Sequence, residues 1–263
     1  MELLNKVAVI TGAGRGIGAA LARHIAETGA AAVVVSDLHL KEAQTVANQI
    51  GGMAVACDVA CEEDVQQLVS SAINEYGRID ILISNAGITV KGGLATSNQD
   101  WQKMWDVNVM SRLYAARAVI PHMLEQGAGY LVQTASAAGL LTEIGSASYS
   151  VTKHADVALA EWLSACYGRQ GIKVSCICPM AVETDMIDVT DPVHRYLQLH
   201  SITADQAAAA IVTGIRDENF LILTHPEVAE FLAMKTGDYD RWLRGMQRLR
   251  QKLTRQKTQR SAA

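Results

Sequence analysis

The sequence predicts an α/β fold, a doubly wound parallel sheet in a single domain, and three observations predict it. Apolar, β-branched runs recur along the chain, helical patterns separate them, and the runs are continuous rather than alternating. A strand that buries one face alternates apolar and polar residues, so unbroken apolar runs belong to a sheet covered on both faces. Strand–helix alternation then gives parallel βαβ units with right-handed crossovers. With 263 residues and 49% hydrophobic content, the chain is long enough for one large core.

Val7–Ile10 is the first strand. It runs into Thr11-Gly12-Ala13-Gly14-Arg15-Gly16-Ile17-Gly18, which opens a helical stretch, Gly16–Thr28, with Ile17, Leu21 and Ile25 on one face. Glycine permits positive φ and a close backbone approach to a ligand. A helix N-terminus adds free N–H groups and partial positive charge, which suit a pyrophosphate. No Lys-Ser/Thr pair follows the glycines, so the turn is not a nucleoside-triphosphatase P-loop.

The second strand, Ala32–Ser36, leads to Asp37, about 20 residues beyond the turn, where a carboxylate can bond a ribose 2′-hydroxyl. The same carboxylate would repel a 2′-phosphate, which favours NAD over NADP. Arg15 is the lesser counter-signal, and a helix cap is the structural alternative for Asp37.

Ala54–Cys57, Ile79–Ser84, Tyr130–Thr134, Val174–Cys178 and Phe220–Leu223 continue the strands, and Glu62–Tyr76, Trp101–Met123 and Ser148–Gln170 continue the helices. Asn85-Ala86-Gly87 closes the fourth strand, Asn108 falls within a helix, and Ser136 follows the fifth strand. Tyr149 and Lys153 lie four apart on one helix face. A phenol titrates near pH 10 and is a poor base at neutral pH. A neighbouring ammonium lowers that value, the tuning a general acid/base needs. Alone, such a pair reads as an ordinary surface pair; Ser136, 13 residues before Tyr149, gives it chemical company.

Two segments lie outside this rhythm. Residues 185 to about 204 follow the sixth strand, at the carboxyl end of the sheet where ligands sit, and are expected to form a mobile lid; a plain surface helix is the alternative. After His225, Trp242, Met246, Leu249 and Leu253 recur at helical spacing among Arg and Lys residues. This tail reads as an amphipathic helix packed on the body or on another subunit, with a membrane or an acidic partner as alternatives. The domain reading is therefore residues 1–225 for dinucleotide binding and catalysis, and 226–263 for a C-terminal helical tail.

A net charge of −4 argues against a general nucleic-acid binder, and no apolar run approaches a membrane span. Five cysteines, an odd number, and a start without a signal-peptide stretch suit a reducing cytoplasm. No CxxC or HExxH is present, and no metal is expected.

Taken together, these motifs resemble the short-chain dehydrogenase/reductase family over nearly the whole chain to about Leu223. Gly12, Gly16 and Gly18 match its cofactor turn, and Asp58-Val59 the pair that flanks adenine. Asn85-Ala86-Gly87 matches its element beside the cofactor, and Asn108, Ser136, Tyr149 and Lys153 its catalytic tetrad. Pro179, Val182 and Thr184 match the segment that holds the nicotinamide carboxamide. Ser84, where many members carry a second Asn, and Met180, in place of a Gly, are departures.

The resemblance implies a Rossmann-type sheet and hydride transfer between NAD and a secondary alcohol or ketone. Tyr149 would be the acid/base, and Ser136 would stabilise the substrate oxygen. Lys153 would tune Tyr149 and bond the ribose, and Asn108 would hold a water linking Lys153 to solvent. It also implies a homotetramer or dimer built on the helices Trp101–Met123 and Ser148–Gln170. An NADPH-dependent ketoacyl-type reductase and a non-catalytic dinucleotide sensor remain alternatives. Ala138, Leu140, Met180, Val182, Met186 and Ile187 are candidate pocket residues whose apolar character hints at a hydrophobic small-molecule substrate. Thr142 and Glu143 either touch that substrate or face solvent.

Overall fold

The computed structural model describes residues 1–186, 192–199 and 201–261. Seven parallel strands form one sheet in the order β3-β2-β1-β4-β5-β6-β7. They are β1 (Val7–Thr11), β2 (Ala32–Asp37), β3 (Met53–Ala56), β4 (Ile81–Ser84), β5 (Gly129–Thr134), β6 (Ile172–Ile177) and β7 (Leu221–Ile222). Successive strand residues point to opposite faces, so each apolar run serves two cores. Ile10, Val35 and Ile83 face helices α1 (Gly16–Glu27), α2 (Leu40–Ile50) and α9 (Ala204–Arg216). Val9, Val34 and Leu82 face α3 (Glu62–Tyr76), α5 (Ser111–Glu125) and α7 (Ala147–Tyr167). The strand order reverses between β1 and β4, and there the carboxyl ends of the strands leave a crevice.

The helix expected over Trp101–Met123 is interrupted. α4 (Asn98–Trp105) passes into a π-helical turn, Asp106–Met110, before α5 begins. Side chains take over one carbonyl there: Val107 O accepts from Ser111 Oγ at 2.6 Å and from Arg112 Nη1 at 2.8 Å. Side-chain donors of this kind compete with the regular helix ladder, and π turns concentrate at functional sites.

The expected tail forms two helices, α10 (Glu227–Gly237) and α11 (Tyr239–Ser261). Phe231, Leu232 and Trp242 pack against Ala137, Leu141 and Met180, around the fully buried Val228. Lys235 Nζ donates to the Leu140 carbonyl at 2.5 Å. The tail therefore rests on α6 (Ala138–Leu141), the short helix that follows Ser136. Of the lid segment, α8 (Pro192–Gln198) is described, and its far end is pinned by Ile202 N donating to Ala181 O at 3.1 Å. Residues 187–191 and 200, and with them Ile187, lie outside the described residues. Among the described residues no helix is long and apolar enough to cross a membrane, and no group of three or more His, Cys, Asp or Glu could hold a metal.

Candidate active site

A cleft of about 1300 Å³ runs from the glycine turn, past the ends of β4 and β5, to the lid segment. At one end the backbone itself makes the cradle. Gly12 holds φ +61°, and a Cβ on it would lie 2.6 Å from Ala86 Cα. A Cβ on Gly18 would sit 2.3 Å from the Gly12 carbonyl and 2.6 Å from Asn85 Nδ2. No side chain caps α1, and its first turn holds no acidic residue, so its N-terminal amides and positive dipole end face the cradle. Asn85 braces the turn from below, donating to the Thr11 and Gly12 carbonyls at 3.1 Å each. The backbone N–H groups of Asn85 and Ala86 meet Thr11 Oγ1.

Asp37 lines the cleft and has two backbone partners already: it accepts from Gly14 N at 3.0 Å and His39 N at 3.1 Å. Arg15, at the other lip, pairs with Asp185 at 3.3 Å across an exposed gap. Gly12, Arg15, Gly16, Ile17, Asp58, Val59, Asn85, Ala86 and Gly87 all border the same cleft, as do Pro179, Val182 and Thr184.

Ser136, Tyr149 and Lys153 meet on its floor. Ser146 caps α7 by accepting from Tyr149 N, which sets Tyr149 and Lys153 one turn apart in the first turns of the helix. Ser136 Oγ accepts from Ala138 N at 3.1 Å, and its weak bond to the Pro179 carbonyl is 3.4 Å long. Burial pushes the Tyr149 phenol up to about 12, against a lowering by the nearby Ser136 hydroxyl; the Glu143 and Asp156 charges raise it further and Arg112 lowers it. The sequence leads one to expect a phenol lowered by its ammonium neighbour. Instead, burial dominates. The Lys153 ammonium lies 5.8 Å from the Tyr149 ring centre. Burial also depresses Lys153, to about 8, against the raising effect of Asp156.

Of the expected residues, Asn108, Gly18, Ala138, Leu140 and Thr142 do not border the cleft. Asn108 is fully buried behind it: Nδ2 donates to the Ile88 carbonyl at 2.9 Å and to Thr152 Oγ1 at 3.2 Å, and Oδ1 accepts from Ile88 N at 2.9 Å. Gly18 supports the turn from within α1. Ala138 packs with Met104 and Tyr149 beneath the floor. Met180 and Met186 do border the cleft. Leu140 packs toward the tail instead. Glu143 also borders the cleft; its Oε1 is buried without a hydrogen bond, 3.8 Å from His194 Nε2 on α8.

Sequence reasoning misses the charged group behind Lys153. Asp156 accepts at 3.3 Å from both Lys153 Nζ and Arg112 Nε, and all three side chains are buried. The pattern carried a signal: Asp156 is one turn beyond Lys153, and Arg112 one turn beyond Asn108.

Known proteins are similar to this chain in sequence and in fold. The family model described as short chain dehydrogenase matches residues 6–192. An uncharacterised oxidoreductase of Staphylococcus aureus strain USA300 is 37% identical over 197 residues, covering 73% of this chain and 85% of that one. Short chain aldehyde dehydrogenase 1 of Euphorbia lathyris is 37% identical over 195 residues, 71% of this chain and 67% of that one. Among solved structures, a short chain dehydrogenase/reductase from Burkholderia phymatum in complex with NAD superposes with TM-score 0.84 at 30% identity, over 91% of this chain and 96% of that chain. A 3-ketoacyl-(acyl-carrier-protein) reductase from Brucella melitensis complexed with NADH gives 0.78 at 28% identity, over 84% and 97%.

Proposed function

The chain belongs to the short chain dehydrogenase family and is an oxidoreductase; from that premise we propose that it transfers a hydride between NAD and a secondary alcohol or ketone, with Tyr149 giving and taking the proton. The observation that carries this reading is the meeting of Ser136, Tyr149 and Lys153 on the floor of the cleft that begins at the glycine cradle.

The residues present fit a dinucleotide. The turn, packed so closely against Ala86 and Asn85 that no Cβ fits at Gly12 or Gly18, and the uncapped α1 terminus suit a pyrophosphate. Asp37 would meet the adenosine ribose, Asp58 and Val59 would flank the adenine, and Pro179, Val182 and Thr184 would border the nicotinamide end. NAD rather than NADP is supported by the Asp37 carboxylate and by the NAD and NADH in the two similar structures. When bound, the dinucleotide supplies or accepts the hydride.

The chain's own groups do the rest. In reduction, the Tyr149 phenol, held protonated by burial, donates its proton to the carbonyl oxygen as charge develops there. Ser136 Oγ donates a hydrogen bond to that oxygen and orients it. In oxidation Tyr149 must first lose its proton, which the Lys153 charge favours. Asn108, through its two-way bonding to Ile88, fixes the segment after Gly87, and its place in the π turn suits it to hold a water behind Lys153.

Met180, Val182 and Met186 supply an apolar wall, and Glu143 one unsatisfied acceptor. This wall supports a mainly apolar ketone or alcohol as the substrate. An NADPH-dependent ketoacyl-type reductase and a non-catalytic sensor are the competing readings. A side-by-side titration with NADH and NADPH separates the first, with tighter NADH binding expected. Tighter NADPH binding would overturn the cofactor assignment. Turnover of any ketone in a panel excludes the second.

A further inference from the structure

At the cleft floor and directly behind it, Lys153, Asp156 and Arg112 form a buried charged cluster, with side chains 3%, 0% and 1% exposed. Such a cluster is a poor device for stability. Desolvating these charges costs several kcal/mol each, and apolar side chains of the same volume commonly serve a core as well or better. The three charges do not cancel either: two cations share one carboxylate.

Their geometry is directed. Asp156 Oδ2 accepts from Lys153 Nζ and from Arg112 Nε, both at 3.3 Å. The Thr134 carbonyl at the end of β5 also receives both cations, Lys153 Nζ at 2.7 Å and Arg112 Nη2 at 3.3 Å. With its amide oriented as its neighbours require, Gln133 donates to Asp156 Oδ1 and to the Asp156 carbonyl, each at 3.2 Å. Ser111 Oγ and the Val107 carbonyl of the π turn hold the far side of the guanidinium. A Cβ on Gly87 would come within 3.6 Å of Lys153 Nζ and 3.9 Å of Arg112 Nη2, so the backbone beside the cofactor cleft passes directly over both cations.

We infer that Asp156 and Arg112 are positioning residues for the Lys153 ammonium: the carboxylate keeps it charged in a dry site, and the guanidinium, competing for the same oxygen, limits how firmly. The inference rests on the reading that Lys153 acts on Tyr149. Charged or titratable groups that bear on the site come from every packed element: Asp156 and Tyr149 from α7, Arg112 from α5, Cys176 from β6 and Glu143 from the loop before α7. The two positioning groups act in opposite senses on Lys153, Asp156 favouring its charged form and Arg112 opposing it.

That opposition supplies the test. The full chain is labelled with lysine carrying carbon-13 at Cε, the Lys153 resonance is identified by its loss in Lys153→Met, and its titration is followed by NMR. Asp156→Asn is expected to lower the Lys153 midpoint by about one pH unit or more, and Arg112→Met to raise it by a similar amount. Asp156→Glu, which restores the charge, should bring the midpoint back toward the unsubstituted chain. Either single variant decides alone if the other fails to fold. Midpoints that stay put, or that move the same way in both variants, overturn the inference. The readout needs no substrate, so it fails or stands separately from the assignment of Tyr149, which turnover of Tyr149→Phe decides.

Discussion

At the scale of the residue, the chemistry turns on two buried groups displaced from their ordinary values in opposite directions, a phenol raised to about 12 and an amine lowered to about 8, both mainly by loss of water. Lys153 keeps its charge below about pH 8 and loses it above, whereas Tyr149 keeps its proton throughout that range. The Lys153 charge also favours the phenolate that proton donation leaves behind, so ketone reduction should decline as pH passes about 8 although the phenol is still protonated; a rate flat to pH 10 would show that the ammonium is not used. Gly18→Ala tests the cradle. Its methyl would enter the space 2.3 Å from the Gly12 carbonyl, so a cost of about 1–3 kcal/mol in urea unfolding and loss of dinucleotide binding are expected. The glycines, Asp37, Ser136, Tyr149 and Lys153, which the structure brings to one cleft or its supporting turn, could be picked out in the sequence because their motifs, taken together, match the pattern of a known family. Arg112 and Asp156 could not, since what makes them unusual is complete burial, which only the packing of α5 against α7 creates.

At the scale of the element, the sheet was legible and its interruptions were not. Continuous apolar runs mark the seven strands to within one or two residues, because a strand buried on both faces has no polar positions to blur it. The run Trp101–Met123 carries helical periodicity throughout, yet it breaks at Asp106–Met110, where Ser111 and Arg112 capture the Val107 carbonyl. That break depends on side-chain bonds that periodicity does not encode. The tail shows the same limit. Its amphipathic spacing predicts a packed helix but not its target, which is the segment carrying Ser136 and Met180. Lys235→Ala removes the donor to the Leu140 carbonyl and should cost about 1–2 kcal/mol. It should also lower turnover more than dinucleotide affinity, since α6 adjoins the reacting end of the cleft. Equal losses in both would place the effect in general stability instead.

At the scale of the whole molecule, one sheet brings the ends of β1, β4, β5 and β6 together, so that residues from Gly12 to Thr184 border a single cleft. The outer face of α7 carries Val151 and Trp162, 49% and 56% exposed, apolar area that self-association would cover. A dimer or tetramer is expected by sedimentation velocity, reduced toward monomer by Trp162→Glu; a monomeric unsubstituted chain would overturn this. The central claim is that the Tyr149 phenol delivers the proton that accompanies hydride transfer. The most direct measurement is NADH consumption, followed by its near-ultraviolet absorbance, with a panel of ketones and with the chain and Tyr149→Phe compared. Turnover by the former, a loss on the order of 10³-fold in the latter and unchanged NADH binding in both are expected. Near-equal turnover by the two proteins would contradict the claim.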